Sequence, residues 1–91
     1  MPVSIRIPTQ LRSLTANESE ITVSANTVGE ALRELDQSHP VIGERIFDET
    51  GKVRRFVNVF LSDEDVRFLG GLETPVTDGQ VISIVPAVAG G

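Results

Sequence analysis

The 91-residue chain is 40% hydrophobic and 23% charged, the balance of one ordinary globular domain able to bury a modest core. It has no cysteine, which excludes disulfides, thiolate nucleophiles, iron–sulfur clusters and cysteine zinc sites, and its single histidine cannot build a metal site without carboxylate help. A formal charge of -5 opposes a nucleic-acid partner through phosphate repulsion and suits a partner with a basic docking face.

Residues 3–7, VSIRI, alternate, with Val3, Ile5 and Ile7 on one face and Ser4 and Arg6 on the other, so a half-buried strand is predicted, closed by Pro8. The opening segment is too short and too polar for a signal peptide, and no apolar run approaches the roughly 20 residues of a membrane span, so the expected compartment is the cytoplasm. Residues 9–20 are polar and turn-like, with Leu11 and Leu14 available to tuck under. Ile21 to Val23 read as a second short strand, which makes residues 3–23 a hairpin with a long loop.

A helix follows. Thr27 and Glu30 have capping-box spacing, and Val28, Ala31, Leu32 and Leu35 form one apolar stripe. Gly29 weakens the first turn slightly, and Pro40 stops the helix near His39. Residues 41–47 add a short helical turn with Ile42 and Ile46 inward, and Gly51 centres a turn. Residues 56–62 form a strand with Val57, Val59 and Leu61 on one face and Phe56, Asn58 and Phe60 on the other. Residues 62–65 turn the chain, Val66 to Phe68 form a short return strand, and Gly70 and Gly71 allow a tight bend. Gly79 tolerates a positive φ in the next turn, and Val81 to Val85 make the last strand, with Ile82 and Ile84 in the core.

One helix cannot cover both faces of such a sheet, so the fold class is α+β: a mixed sheet with the main helix packed across one face. A hairpin, a crossing helix and a final strand beside the first make the β-grasp arrangement. The domain is expected to occupy residues 1–86, with residues 87–91 a flexible tail.

Conventional catalysis finds little support. His39 sits at a helix end, where an imidazole commonly meets the helix C-terminus or water. Asp63, Glu64 and Asp65 are adjacent in a turn and lack the spacing of a calcium loop, and the glycines match neither a dinucleotide fingerprint nor a P-loop. Arg54, Arg55 and Arg67 read equally as a docking patch or as ordinary surface charge. Phe60, Val85 and Phe56 face away from the helix, forming an apolar strip that a partner would cover, unless Leu69, Leu72 or Val41 folds over it.

The tail PAVAGG carries the clearest chemistry. A terminal Gly-Gly is commonly just a frayed end. Two residues without Cβ also make the thinnest thread a chain can offer, able to enter a narrow channel and leave the last carbonyl carbon uncrowded. Val85, Pro86 and Val88 would hold its base extended. A carboxylate is a poor electrophile until ATP-dependent adenylation supplies a leaving group. Sulfur can then replace one oxygen, giving a thiocarboxylate whose sulfur anion is a good nucleophile. The chain is expected to be a carrier and not an enzyme.

The stretch VRFLGGLETPVTDGQVISIVPAVAGG, with RFVNVFLSDED before it, resembles the ubiquitin-like sulfur carriers of the ThiS and MoaD group, and the likeness covers essentially the whole chain. RFVNVFLSDEDVRFLGGL and IVPAVAGG are most like the CysO-type carriers of cysteine biosynthesis. The resemblance implies a β-grasp fold and a cycle on Gly91. An E1-like adenylating and sulfurating enzyme makes the thiocarboxylate. A pyridoxal-phosphate (PLP) dependent cysteine synthase adds the sulfur to an aminoacrylate made from O-phosphoserine. A JAMM-type metallopeptidase then releases cysteine from the adduct. ATP, PLP and zinc would belong to those partners, with none bound to this chain, and neither nucleic acid nor membrane is implied. Gly90 and Gly91 map onto the family motif; Phe60, Arg67, Val85, Pro86 and Val88 are the expected partner-binding residues. The small subunit of molybdopterin synthase, a thiamine-type carrier, a non-carrier interaction module and a protein tag joined to lysines are the alternatives.

Overall fold

Alternation in the opening residues produces β1 (Pro2–Arg6), whose Val3 and Ile5 are buried while Pro2 and Arg6 remain exposed. The computed structural model describes residues 2–55 and 57–86. The segment after β1 is more ordered than its polarity suggests. Thr9–Thr15 wind into a 3-10 helix that buries Leu11, and Ala16 and Asn17 take positive φ of 54° and 67° to reverse the chain. The buried Thr15 hydroxyl lies 3.1 and 2.9 Å from the carbonyl oxygens of Arg12 and Glu18, so its burial leaves no unmet polar group. β2 (Glu20–Ser24) then runs antiparallel to β1, with Val3 opposite Val23 and Ile5 opposite Ile21, as the predicted hairpin requires.

α1 (Val28–Ser38) begins where the capping residues place it. Thr27 Oγ1 accepts from the Glu30 amide at 3.1 Å, and Glu30 Oε1 accepts in return from the Asn26 amide at 3.0 Å. The stripe Val28, Ala31, Leu32 and Leu35 is fully buried. Pro40 ends α1 but also starts α2 (Pro40–Ile46), because a proline fits the first turn of a helix, where no amide donor is needed. The predicted single turn is therefore a seven-residue helix with Ile42 and Ile46 in the core. In the turn that follows, Asp48 Oδ1 accepts from the amides of Thr50 and Lys52, and Gly51 takes a φ of 88°.

β3 (Val57–Leu61) and β5 (Val81–Pro86) are the predicted strands. Phe56, placed in the first of them by the sequence, lies outside the described residues. The return strand at Val66 to Phe68 is not formed. β4 is only Glu64–Asp65, reached through Ser62 at a φ of 55°, and Val66–Phe68 is a 3-10 turn capped by Asp65, with Val66 pulled into the core. Gly71–Glu73 form another 3-10 turn that lies against the start of α1, with the Leu72 carbonyl oxygen so close to Gly29 that a Cβ there would stand 2.9 Å from it. Val28 donates to Thr74 O and Val76 to Asn26 O, which ties this loop to the helix N-terminus.

The sheet order is β2-β1-β5-β3-β4. β5 sits in the middle, parallel to β1 and antiparallel to β3, so Ile82 and Ile84 meet Val3, Ile5, Val59, Leu61 and the helical residues in one cluster. β2 and β3 run parallel on opposite sides of the β1–β5 pair, and α1 and α2 carry the chain across from one to the other. Among the described residues no helix is long and apolar enough to cross a membrane.

Candidate functional site

β5, in the middle of the sheet, carries the chain to one end of the strands. Its register with β3 runs Ile82 to Leu61, Ser83 to Phe60, Ile84 to Val59, Val85 to Asn58 and Pro86 to Val57. Strand alternation then decides which residues meet. Ile82, Ile84, Val59 and Leu61 point into the core, and Ser83, Val85, Asn58 and Phe60 share the opposite face. Phe60 is half-buried and Val85 is 44% exposed, and they are diagonal neighbours across the pair. Of the predicted apolar strip, Phe60 and Val85 share this open face, Phe56 lies outside the described residues, and β5 continues to Pro86. Of the residues weighed as cover, Leu72 packs against the core, and Leu69 and Val41 are themselves exposed. Val88, Gly90 and Gly91 lie outside the described residues.

Arg67 is exposed and also paired. Its guanidinium is engaged by its own domain: Nη2 donates to Asp65 Oδ2 at 2.7 Å and to Asn58 Oδ1 at 2.9 Å, and Nε donates to Asp65 at 3.1 Å. Asp65 also accepts from the Arg67 amide at 2.9 Å, and its side chain is only 9% exposed. The Arg67 side-chain hydrogen bond, followed by its backbone amide, holds the Asp65 carboxyl below the usual carboxylate range, and the same contact raises Arg67. Asp65 and Arg67 form a clamp that fixes the 3-10 turn. Because the folded state lowers the Asp65 pKa, the clamp contributes stability at neutral pH that disappears as pH falls through the depressed value. Asp65→Asn is expected to melt below the parent protein at pH 7. The gap should close as pH drops below about 4, where the unfolded carboxylate is protonated. A gap of the same size at pH 7 and pH 2, measured by thermal melts, would remove the charge from this account.

The clamp presents a residue that the sequence reading placed in a strand. Phe68 is 84% exposed, far more than an aromatic ring ordinarily is, and it stands beside Leu69 at 40%. Val66–Phe68, with Arg67 between two apolar residues, is too short for periodicity to distinguish a strand from a 3-10 turn.

The remaining candidates stay structural. His39 caps the α1–α2 junction, its amide bonded to Leu35 O and its Nδ1 2.9 Å from Ser38 Oγ. Asp63, on the turn, and Glu64, in β4, are exposed. Among the described residues no three His, Asp or Glu side chains gather as metal ligands.

Comparison with known proteins gives a consistent result. The model of the ThiS family matches residues 5–91. The sulfur carrier protein CysO of Mycobacterium tuberculosis (strain ATCC 25618 / H37Rv) is 44% identical over 93 residues, covering all of both chains. A putative sulfur carrier protein of Archaeoglobus fulgidus is 34% identical over 91 residues, again covering all of both. Among solved structures, one chain of the Amycolatopsis orientalis BexX/CysO complex superimposes with a TM-score of 0.88 at 45% identity, covering 98% of this chain and 99% of that one.

Proposed function

The chain belongs to the ThiS family, and we propose that it is a sulfur carrier whose Gly91 carboxylate is adenylated and converted to a thiocarboxylate for cysteine biosynthesis. The observation that carries this reading is the end-to-end 44% identity to a protein named as a sulfur carrier, with Gly90 and Gly91 inside the matched region. The fold supports it by holding β5 between β1 and β3, a rigid base for the five residues that follow Pro86.

The chemistry follows from the carboxylate. A partner enzyme of the E1-like class transfers AMP from ATP to a Gly91 oxygen, releasing pyrophosphate. A sulfide-level nucleophile then forms a C–S bond as the C–O bond to AMP breaks, leaving –COS⁻ and AMP. The sulfur anion attacks a carbon electrophile on a PLP-dependent cysteine synthase, and a JAMM-type zinc peptidase frees the product and restores the carboxylate. ATP, PLP and zinc act in the partners. This chain supplies an unhindered acyl carbon, a thread narrow enough to reach a remote site, and the strip formed by Phe60 and Val85 beside it. Arg67 serves the strip through its bond to Asn58.

The test is an intact mass of the full chain after incubation with ATP, a sulfur source and its adenylating enzyme. A gain equal to one oxygen exchanged for sulfur is expected, at stoichiometric yield. An unchanged mass would leave a plain binding module. Isopeptide ladders on cellular proteins would favour a tag, and capture of a large molybdopterin synthase subunit in place of a cysteine synthase would move the sulfur to a pterin.

A further inference from the structure

The chain is acidic overall, yet its cations are unevenly placed. A cavity of about 240 Å³ opens beside the start of β3. Its apolar lining is Val53, Val57, Val59, Val66 and Leu72. Its charged lining is Lys52, Arg54, Arg55 and Arg67, half of the eight basic residues in the chain, with no acid among them. Asp65 neutralises Arg67. Arg54 donates Nε to Glu44 O and its charge acts on Asp48, whereas Lys52 and Arg55 make no ion pair among the described residues. Two cations without an acidic partner among the described residues, Lys52 and Arg55, thus flank an apolar floor in a protein of net charge -5. The volume is below the range of small-molecule pockets and suits a single apolar side chain.

The position of this cavity matters more than its size. Val57, in its lining, is the register partner of Pro86, and its amide donates to Arg54 O at 3.0 Å, which holds the basic segment against the end of the sheet. The five residues after Pro86 can span at most about 18 Å even when fully extended. An enzyme that receives the Gly91 carboxylate in an internal site must therefore bring the mouth of its channel against the surface around Pro86. The basic rim and its apolar floor lie on that surface.

We propose that the cavity is a docking socket for an acidic segment of the charging enzyme, which inserts one apolar side chain onto Val57, Val59, Val66 and Leu72 while its carboxylates meet Lys52 and Arg55. This rests on the carrier reading above. The socket reverses the sign that net charge alone suggests: the body of the carrier is acidic, and its tail end selects an acidic channel rim. Complementary charge at this point speeds encounter and orients the thread toward the channel.

Two measurements on the full-length protein test it. In the first, isotope-labelled protein is titrated by NMR with the blocked peptide Glu-Asp-Leu-Asp-Glu, with its Leu-to-Ser version, and with Lys-Lys-Leu-Lys-Lys. Shifts confined to the lining, Lys52, Val53, Arg55, Val57, Val59, Val66 and Leu72, with the first peptide alone, are expected. No shift at millimolar peptide, shifts on another face, or equal shifts from the serine peptide overturn the proposal. In the second, Lys52→Glu/Arg55→Glu is expected to lower kcat/KM for sulfur loading at least tenfold at low salt, with the loss falling in KM and shrinking at high salt. Arg33→Glu, an exposed charge reversal on α1, should stay within twofold. Equal loading of the double variant and the parent overturns the socket. If the parent is not loaded at all, the carrier reading fails, and the peptide titration still decides the socket.

Discussion

Deleting Gly91 should abolish sulfur loading, by at least 100-fold in rate, while leaving the melting temperature of the domain unchanged. The truncated chain still ends in a glycine carboxylate, so its chemistry is intact; what changes is reach. One residue contributes about 3.5 Å of extended chain. A displacement of even 1 Å from a near-attack geometry can cost about 100-fold, and reacting atoms must come within about 3–3.5 Å. The folded body cannot follow the thread inward to make up the difference, because β5 is held on both sides, by β1 and by β3, up to Pro86. Stability is untouched because every described core residue lies before Pro86. Time-resolved intact mass of the parent and truncated proteins, each with ATP, a sulfur source and the adenylating enzyme, reads the effect directly. If the truncated chain loads at the parental rate, loading does not depend on the reach of Gly91, and the assignment of the cycle to that carboxylate fails.

Gly29→Ala should destabilise the domain by about 1–2 kcal/mol, lowering Tm by roughly 5–10 °C for a chain of this size. Helix propensity alone predicts the opposite sign, a gain of up to about 1 kcal/mol for Gly-to-Ala inside a helix. The tertiary contact overrides it. A Cβ on Gly29 would stand 2.9 Å from the Leu72 carbonyl oxygen and 3.1 Å from Leu72 Cβ. Backbone cannot rotate aside as a side chain can. The 71–73 turn would have to lift from α1, straining the bonds from Val28 to Thr74 and from Val76 to Asn26. A thermal melt decides the sign, and a stabilised Gly29→Ala protein would mean that the turn is not seated on the helix as described.

These two cases mark where reading the chain residue by residue succeeds and where it stops. The strand faces of β1, β3 and β5 and the buried stripe of α1 were readable because alternation and helical spacing are local periodicities that burial must match. Phe60 and Val85 were placed correctly for the same reason. The bonds of Arg67 were not legible in the sequence because its partners, Asp65 and Asn58, come together only after the Ser62 turn and β4 fold the chain back onto β3. Phe68 was missed because three residues carry no period. The seven residues of α2 were underestimated because a proline that ends one helix can begin the next.

The Gly-Gly ending and its potential chemistry are contained in the order of residues, since a motif of contiguous positions needs no folding to be recognised. So are the helix start at Thr27 and the division of each strand into a buried and an open face. Folding alone decided that β5 lies between β1 and β3, that a glycine in α1 is required by a loop more than 40 positions away, and that Lys52, Arg54 and Arg55 share a hollow with Val66 and Leu72 beside Pro86. The reason is physical. Periodicity says which side of an element is apolar, whereas the choice of neighbour depends on chain crossings and on how all the apolar faces close together at once.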